Sequence, residues 1–311
     1  MNTIFSLDNA VLGRLDAVSA TRTFRNLLWC EALRTGLSPH KAVISLRTNV
    51  SDGGIDARVD GSPTVDSILV RGATYFQVKA GGGFKPWQRS LLKKELFGSP
   101  KVKPNRDTLA PGIRACLQSR GRYVLITFGH DLTPEQHTKT KGALTELLKT
   151  CGYKNPRVDV LGQGQLLGLI TLFPSLVLEL LGRDGLPFQS FDNWKARDDM
   201  TPALHLATAQ SEVIATFRKA LQDSNYQHIR VIGEPGIGKT RLVLEALAAE
   251  DLAPIVIYSP HAEDFQRNPL FNELLRVDLH YHAIVVIDEC AEKEREASAM
   301  LALSSRGSVQ R

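Results

Sequence analysis

No uninterrupted apolar run in this sequence reaches the roughly 18–20 residues that a membrane-crossing helix needs. The opening, residues 1–16, lacks the basic and long apolar stretches of an export signal, so a cytoplasmic location is expected and a membrane partner is not. Cysteine is sparse. Its four copies, Cys30, Cys116, Cys151 and Cys290, fall at no metal-ligand or disulfide-framework spacing, which argues against structural zinc and for reduced thiols. Internal repeats and low-complexity tracts are missing too, which excludes solenoid and linker-like chains. What is left is an ordinary globular composition, 43% hydrophobic and 23% charged, over 311 residues. That length suits two domains, because single cores rarely grow past about 250 residues.

The net charge of +5 conceals an asymmetry. Between Arg71 and Leu125 twelve Lys/Arg stand against Glu95 and Asp107, a local net of +10, so the remainder of the chain carries −5. A concentrated positive surface suits phosphate neutralisation by counterion release, although a solvated basic face has the same composition.

The first helical pattern runs over Thr21–Arg34, with Phe24, Leu27, Leu28 and Ala32 at three-and-four spacing. Glu31 falls on the same inward face, where a carboxylate is tolerated only with a partner. Short strands are expected at Lys41–Leu46, Ile55–Val59 and Thr74–Lys79, with a tight turn over Asn49–Gly54. Gly81–Gly83 and Ser99–Pro111 read as loops. Arg122–Thr127 and Arg157–Leu161 read as strands and Glu135–Thr150 as a helix. Gln165–Leu181 reads as two short helices broken at Pro174. Residues 183–207 have no clear period and are expected to link a domain over 1–182 to one over 208–311. The second domain would open with a helix that buries Val213, Ile214, Phe217 and Leu221.

Two short stretches carry chemistry in the first domain: Asp-Gly-Gly-Ile-Asp-Ala at 52–57 and Phe-Gln-Val-Lys at 76–79. Side chains alternate along a strand, so Gln77 and Lys79 project from one face, and a paired neighbouring strand would bring Asp56 to the same edge. A carboxylate, a further oxygen ligand and an ammonium are the set that phosphodiester hydrolysis with Mg²⁺ uses. Taken singly, Asp52 and Asp56 also suit a turn, and Lys79 the end of an exposed strand.

The combination resembles the PD-(D/E)XK nuclease superfamily, closest to its Mrr-like and antiphage-effector branches, in which Gln stands for the second acid. The resemblance covers roughly the first 180 residues. It implies a restriction-endonuclease-like mixed sheet flanked by helices, with Asp56, Gln77 and Lys79 catalytic, Glu31 assisting, and Mg²⁺ held by Asp56, Gln77 and Glu31. DNA as substrate follows from the resemblance alone. Little base specificity is expected, since nothing looks like a recognition helix or zinc module.

Further on, Gly233-Glu-Pro-Gly-Ile-Gly-Lys-Thr240 matches the phosphate-binding pattern G-x-x-x-x-G-K-S/T in full, between an expected strand, His228–Ile232, and a helix, Arg241–Ala249. Gly233, Gly236 and Gly238 allow backbone N–H groups to curl around phosphates, Lys239 would bridge two of them, and Thr240 would ligate Mg²⁺. Forty-eight residues after Thr240, the apolar run Ala283–Ile287 ends in Asp288 and Glu289, suited to holding Mg²⁺ and polarising water; a strand at Pro254–Tyr258 lies between. This part resembles the STAND class of P-loop NTPases. The resemblance implies a partial parallel sheet, ATP with Mg²⁺ as cofactor, and further strands and a sensor beyond Arg311, so truncation is expected.

Together the two halves suggest an α/β protein of the antiphage kind: a DNA endonuclease activated by nucleotide-dependent homo-oligomerisation once an invader-derived trigger is sensed through a missing C-terminal region. Two alternatives remain open. One is a restriction enzyme that translocates along or remodels DNA; the other is a non-catalytic DNA-binding regulator.

Overall fold

The run Tyr123–Thr127 is buried along its whole length, as a strand covered on both faces must be, and the first half of the protein is built around it. The computed structural model describes residues 7–46, 53–182, 187–197, 200, 207–222, 229–248, 252–274, 276 and 280–289. The chain divides into two bodies, one formed by Leu7–Ile170 and the other containing the residues from Thr171 on. The first comprises α1 (Asn9–Gly13), α2 (Ala17–Arg34), β1 (Ala42–Ile44), β2 (Ala57–Gly61), β3 (Gly72–Lys79), α3 (Arg89–Phe97), α4 (Pro111–Gln118), β4 (Arg122–Thr127), α5 (Pro134–Thr150), β5 (Arg157–Leu161) and α6 (Gln163–Ile170). Its five strands lie in sequence order; β1, β2 and β3 are antiparallel neighbours, and β3, β4 and β5 run parallel. This is the mixed α/β sheet flanked by helices that the pattern implied.

Strand alternation decides what each face carries. Tyr75, Gln77 and Lys79 pair in register with Tyr123, Leu125 and Thr127, so these six share one face. Its apolar members pack with Leu92 and Leu96 of α3, Ile113 of α4, and Leu144 and Leu148 of α5. On the opposite face Phe76 meets Phe24 of α2, with ring centroids 5.2 Å apart. Both α3 and α4 fall where no helix was expected. Each is short, and their signal is local: Leu92 and Leu96 one turn apart, and Gly98 closing α3 in the left-handed conformation. Beyond the sheet, the loops after β3 and β4 touch backbone to backbone. A Cβ placed on Gly129 would lie 2.0 Å from the Gly81 carbonyl oxygen, so no other residue fits there without displacing one loop.

The second body contains α7 (Pro174–Leu181), β6 (Gln189–Ser190), α8 (Phe191–Lys195), α9 (Thr208–Gln222), α10 (Lys239–Leu247), β7 (Val256–Ser259), α11 (Ala262–Arg267), α12 (Pro269–Leu274) and β8 (Ile284–Ile287). Helix α7 packs on β6 and β7, so the division falls after Ile170 rather than at 182. The span expected to be a linker is partly structured as well. Gln189–Ser190 adds antiparallel to β7, and Trp194 of α8 is fully buried, stacked on Tyr258 with centroids 4.2 Å apart. Strands β7 and β8 are parallel as expected, but β6 makes this sheet mixed rather than parallel.

The strand expected before the glycine-rich loop does not form over its described part, residues 229–232; His228 lies outside the described residues. Ile232 is 79% exposed, because no strand among the described residues pairs with this segment and covers it. On α9 only Ile214 of the expected face is buried, while Val213 is 49% exposed. Among the described residues no single helix is long and apolar enough to cross a membrane. Cys30, Cys116 and Cys151 are buried and none of the three is in a disulfide, and burial pushes the Cys116 thiol up to about 12; Cys290 lies outside the described residues.

Candidate functional site

In the first body the site forms where β2, β3, β4 and α3 meet. The turn entering β2 uses Gly53 and Gly54, both at positive φ (69° and 85°), and delivers Asp56 to the rim of the sheet; Asp52 lies outside the described residues. Asp56 is attached to β3 twice. Its N–H donates to the Phe76 carbonyl at 2.9 Å, and its Oδ2 accepts the Val78 N–H at 2.7 Å, so the residue straddles Gln77.

Gln77 is 3% exposed and both ends of its amide are engaged: Nε2 donates to Glu95 Oε2 at 3.2 Å, and Oε1 accepts the Tyr123 hydroxyl. Lys79, two residues on, forms an ion pair with the same Glu95 oxygen. The carboxylate of α3 thus ties together the two β3 residues singled out from the sequence, and Asp56 grips the backbone on either side of the first. Lys79 and Glu95 are each about a quarter exposed, at the mouth of the cluster. Beside Lys79 in register stands Thr127, wholly buried, whose Oγ1 has no hydrogen-bond partner among the described residues.

Glu31 is placed elsewhere. It is fully buried on α2, the helix that covers the Phe76 face, whereas Gln77 and Lys79 project from the other. Both of its oxygens are taken, by Arg34 Nε at 2.8 Å and Nη2 at 2.6 Å, and by the Ser67 hydroxyl at 2.7 Å. The inward carboxylate does have the partner its position demands, and that partner is internal. The acid that meets Gln77 is Glu95, missed because α3 was not recognised; its one visible signal was being an acid inside a strongly basic stretch.

Asp56, Glu95 and the Gln77 amide oxygen are hard oxygen donors, the type Mg²⁺ takes. No group of three or more His, Cys, Asp and Glu able to hold a metal occurs among the described residues. Two carboxylates and an amide oxygen are the donor types of an ion that keeps much of its water rather than of zinc, although Gln77 turns Nε2, and not Oε1, toward Glu95. Of the twelve cations between Arg71 and Arg122, four are used internally. Lys79, Arg89 and Arg122 pair with Glu95, Glu146 and Asp159, and Arg106 donates to the Cys151 and Gly152 carbonyls. Lys85, Lys94, Lys101 and Lys103 remain exposed.

The second body brings its motif residues together as well. Gly238, at φ 89°, ends the loop and caps α10. Gly236 is also left-handed, and Gly233 supplies a carbonyl that accepts from Lys239 Nζ at 3.0 Å; the Glu234 carbonyl accepts from the same ammonium at 2.8 Å. Thr240 donates its hydroxyl to Asp288 Oδ2 at 2.6 Å, joining the start of α10 to the end of β8. That hydroxyl–carboxylate pair is an oxygen set that fits Mg²⁺. Asp288 Oδ2 also accepts the Tyr258 hydroxyl at 3.2 Å; burial, and then the Asp288 charge, hold that phenol well above its ordinary value, so it stays a donor. Glu289, at φ 44°, is bonded through Oε2 to His261 Nδ1 at 2.7 Å.

Compared with family models, curated proteins and solved structures, the chain matches none.

Proposed function

We propose that this chain is a Mg²⁺-dependent nuclease acting on DNA, of the PD-(D/E)XK kind, coupled to a STAND-type P-loop module that binds ATP with Mg²⁺. The observation that carries the nuclease reading is the Glu95 carboxylate held at once by Gln77 and Lys79, with Asp56 clamped around Gln77. A bound Mg²⁺ would supply Lewis-acid activation of the phosphate and a more acidic water. Asp56 and Glu95 would hold it, joined by Gln77 only if its amide turns Oε1 from the Tyr123 hydroxyl. Lys79, at the mouth, would orient water and offset charge developing on the phosphate, and the Thr127 hydroxyl, without a partner among the described residues, would offer a hydrogen bond to a water or phosphate oxygen. The exposed lysines at 85, 94, 101 and 103 suit the strand backbone, which explains affinity without base preference.

In the second body the Thr240–Asp288 pair supports the nucleotide reading. The nucleotide acts there as a switch that assembles chains and raises the output of the nuclease, in an antiphage response to an invader-derived trigger. The deciding experiment is plasmid nicking with Mg²⁺ by the parent, Asp56→Ala and Lys79→Ala. Each substitution is expected to cost about 10³-fold; equal cleavage by all three refutes hydrolysis at this cluster. One observation favours a non-catalytic, DNA-binding reading: both ends of the Gln77 amide are already bonded within the protein. Undiminished DNA binding alongside absent nicking in the parent would select it.

A further inference from the structure

The segment expected to be a linker is built into the back of the nucleotide site. Tyr258, the third residue of β7, stacks face to face on Trp194, with the planes 5° apart, and its hydroxyl lies 3.3 Å from Arg197 Nη1 and 3.2 Å from Asp288 Oδ2. Trp194 belongs to α8, and β6, immediately before it, is hydrogen-bonded to β7 at Tyr258 and Ile257. The indole N–H is buried with no hydrogen-bond partner among the described residues. The ring contacts of Trp194 among the described residues are the stack on Tyr258 and the edge contact with Phe191.

Two hydroxyls converge on one oxygen of Asp288, Thr240 at 2.6 Å and Tyr258 at 3.2 Å. A cation taken up between Thr240 and Asp288 would draw on a lone pair of the Thr240 oxygen, which can still donate its proton to Oδ2, and on the negative charge of the carboxylate. Charge drawn to the ion is charge withdrawn from the bond that Oδ2 accepts from Tyr258. A charge-assisted bond of this kind weakens when its acceptor's charge is offset, and the ring it releases is the one on which Trp194 rests.

We propose that Tyr258 is a positioning residue for Asp288, and that through Trp194 and Arg197 it makes the 188–197 segment responsive to a divalent cation at the nucleotide site. The inference rests on the nucleotide reading of the second body and adds to it the element that reads the site's state. Its chemistry is confined to the hydroxyl: the ring sets the stacking, and the O–H links stacking to the carboxylate.

The test uses the full chain with Trp29→Phe and Trp87→Phe, both in the first body, so that Trp194 is the only tryptophan and is excited selectively. Subtracting the signal of Trp194→Phe from the parent gives the same reading without the double substitution. ATP is held fixed and Mg²⁺ titrated in, while ATP binding is followed by equilibrium dialysis with Mg²⁺ and with EDTA. Mg²⁺ is expected to shift Trp194 emission only when ATP is bound. Tyr258→Phe keeps the ring and loses the hydroxyl. It should abolish the shift and about tenfold of the Mg²⁺-dependent gain in ATP affinity, with binding in EDTA unchanged. An undiminished shift in Tyr258→Phe overturns the inference, as does a parent that binds ATP in a Mg²⁺-dependent way with no shift. A parent that binds no ATP at all overturns the nucleotide reading itself, and the inference with it.

Discussion

The two bodies hold their chemistry in opposite ways. In the first, Gln77 and Lys79 stand on a regular strand with paired neighbours and Asp56 in the bend just before β2, and they are held by hydrogen bonds and an ion pair: Asp56 on the backbone of β3, Gln77 and Lys79 on Glu95. In the second, a loop motif complete in sequence follows a segment that pairs with no strand among the described residues, and its lysine bonds to the loop's own carbonyls. The contrast separates two meanings of a motif. One is a geometry already assembled by the sheet; the other is a set of donors whose arrangement depends on what they bind.

The sharpest way to break this contrast is to set two buried or half-buried acids of the first body against each other. Glu95→Ala is expected to lower Mg²⁺-dependent nicking by about 10²-fold with a modest change in melting temperature. Glu31→Ala should do the reverse. It strands Arg34 and Ser67 and costs about 3–5 kcal/mol in denaturant unfolding, while activity per folded molecule is retained. Loss of chemistry in a still-folded Glu31→Ala would return that residue to the site. In the second body, Lys239→Ala should weaken ATP binding about 10–100-fold, measured by dialysis, leave nicking without nucleotide unchanged and abolish its stimulation by ATP. Unaltered ATP affinity would remove the loop from the nucleotide site.

The smallest effect concerns the scaffold of the first body. Burial pushes the Asp159 carboxyl up, but bonds from Arg122, Lys141 and the Val160 N–H outweigh it and hold the group below its ordinary 3.8. A depressed folded value favours the ionised form, so Asp159 stabilises the protein above about pH 3.8 and loses that contribution as pH falls through the value in the folded state. Asp159→Asn should therefore cost about 1–2 kcal/mol at neutral pH, and the difference from the parent should close in acid. A difference independent of pH would show that packing rather than charge is at stake.

What could be read from the sequence follows the same division. Strands β3, β4 and β5 and helix α5 were legible because period and composition agree over each, and α5 also carries a capping box between Thr133 and Gln136. Gln77 and Lys79 were legible as a pair because alternation along a strand is local information. Glu95 was not, since nine residues with two inward leucines and an αL glycine make a weak helical signal. The direction of Glu31 was readable but its partner was not: Arg34 is one turn away, whereas Ser67 lies 36 residues further on, brought in only by the fold. The strand expected at 228–232 failed for a related reason. Apolar character makes a segment ready to pair, and pairing needs a neighbour that a local pattern does not supply.

The contact between Gly81 and Gly129 leaves these two turns no room to press closer as the protein breathes, since each is the wall of the other. One methyl group at 129 would act as a wedge two residues past the end of β4, alongside the turn that follows Lys79. Tolerance to substitution at this rim is thus decided by a position that carries no side chain at all.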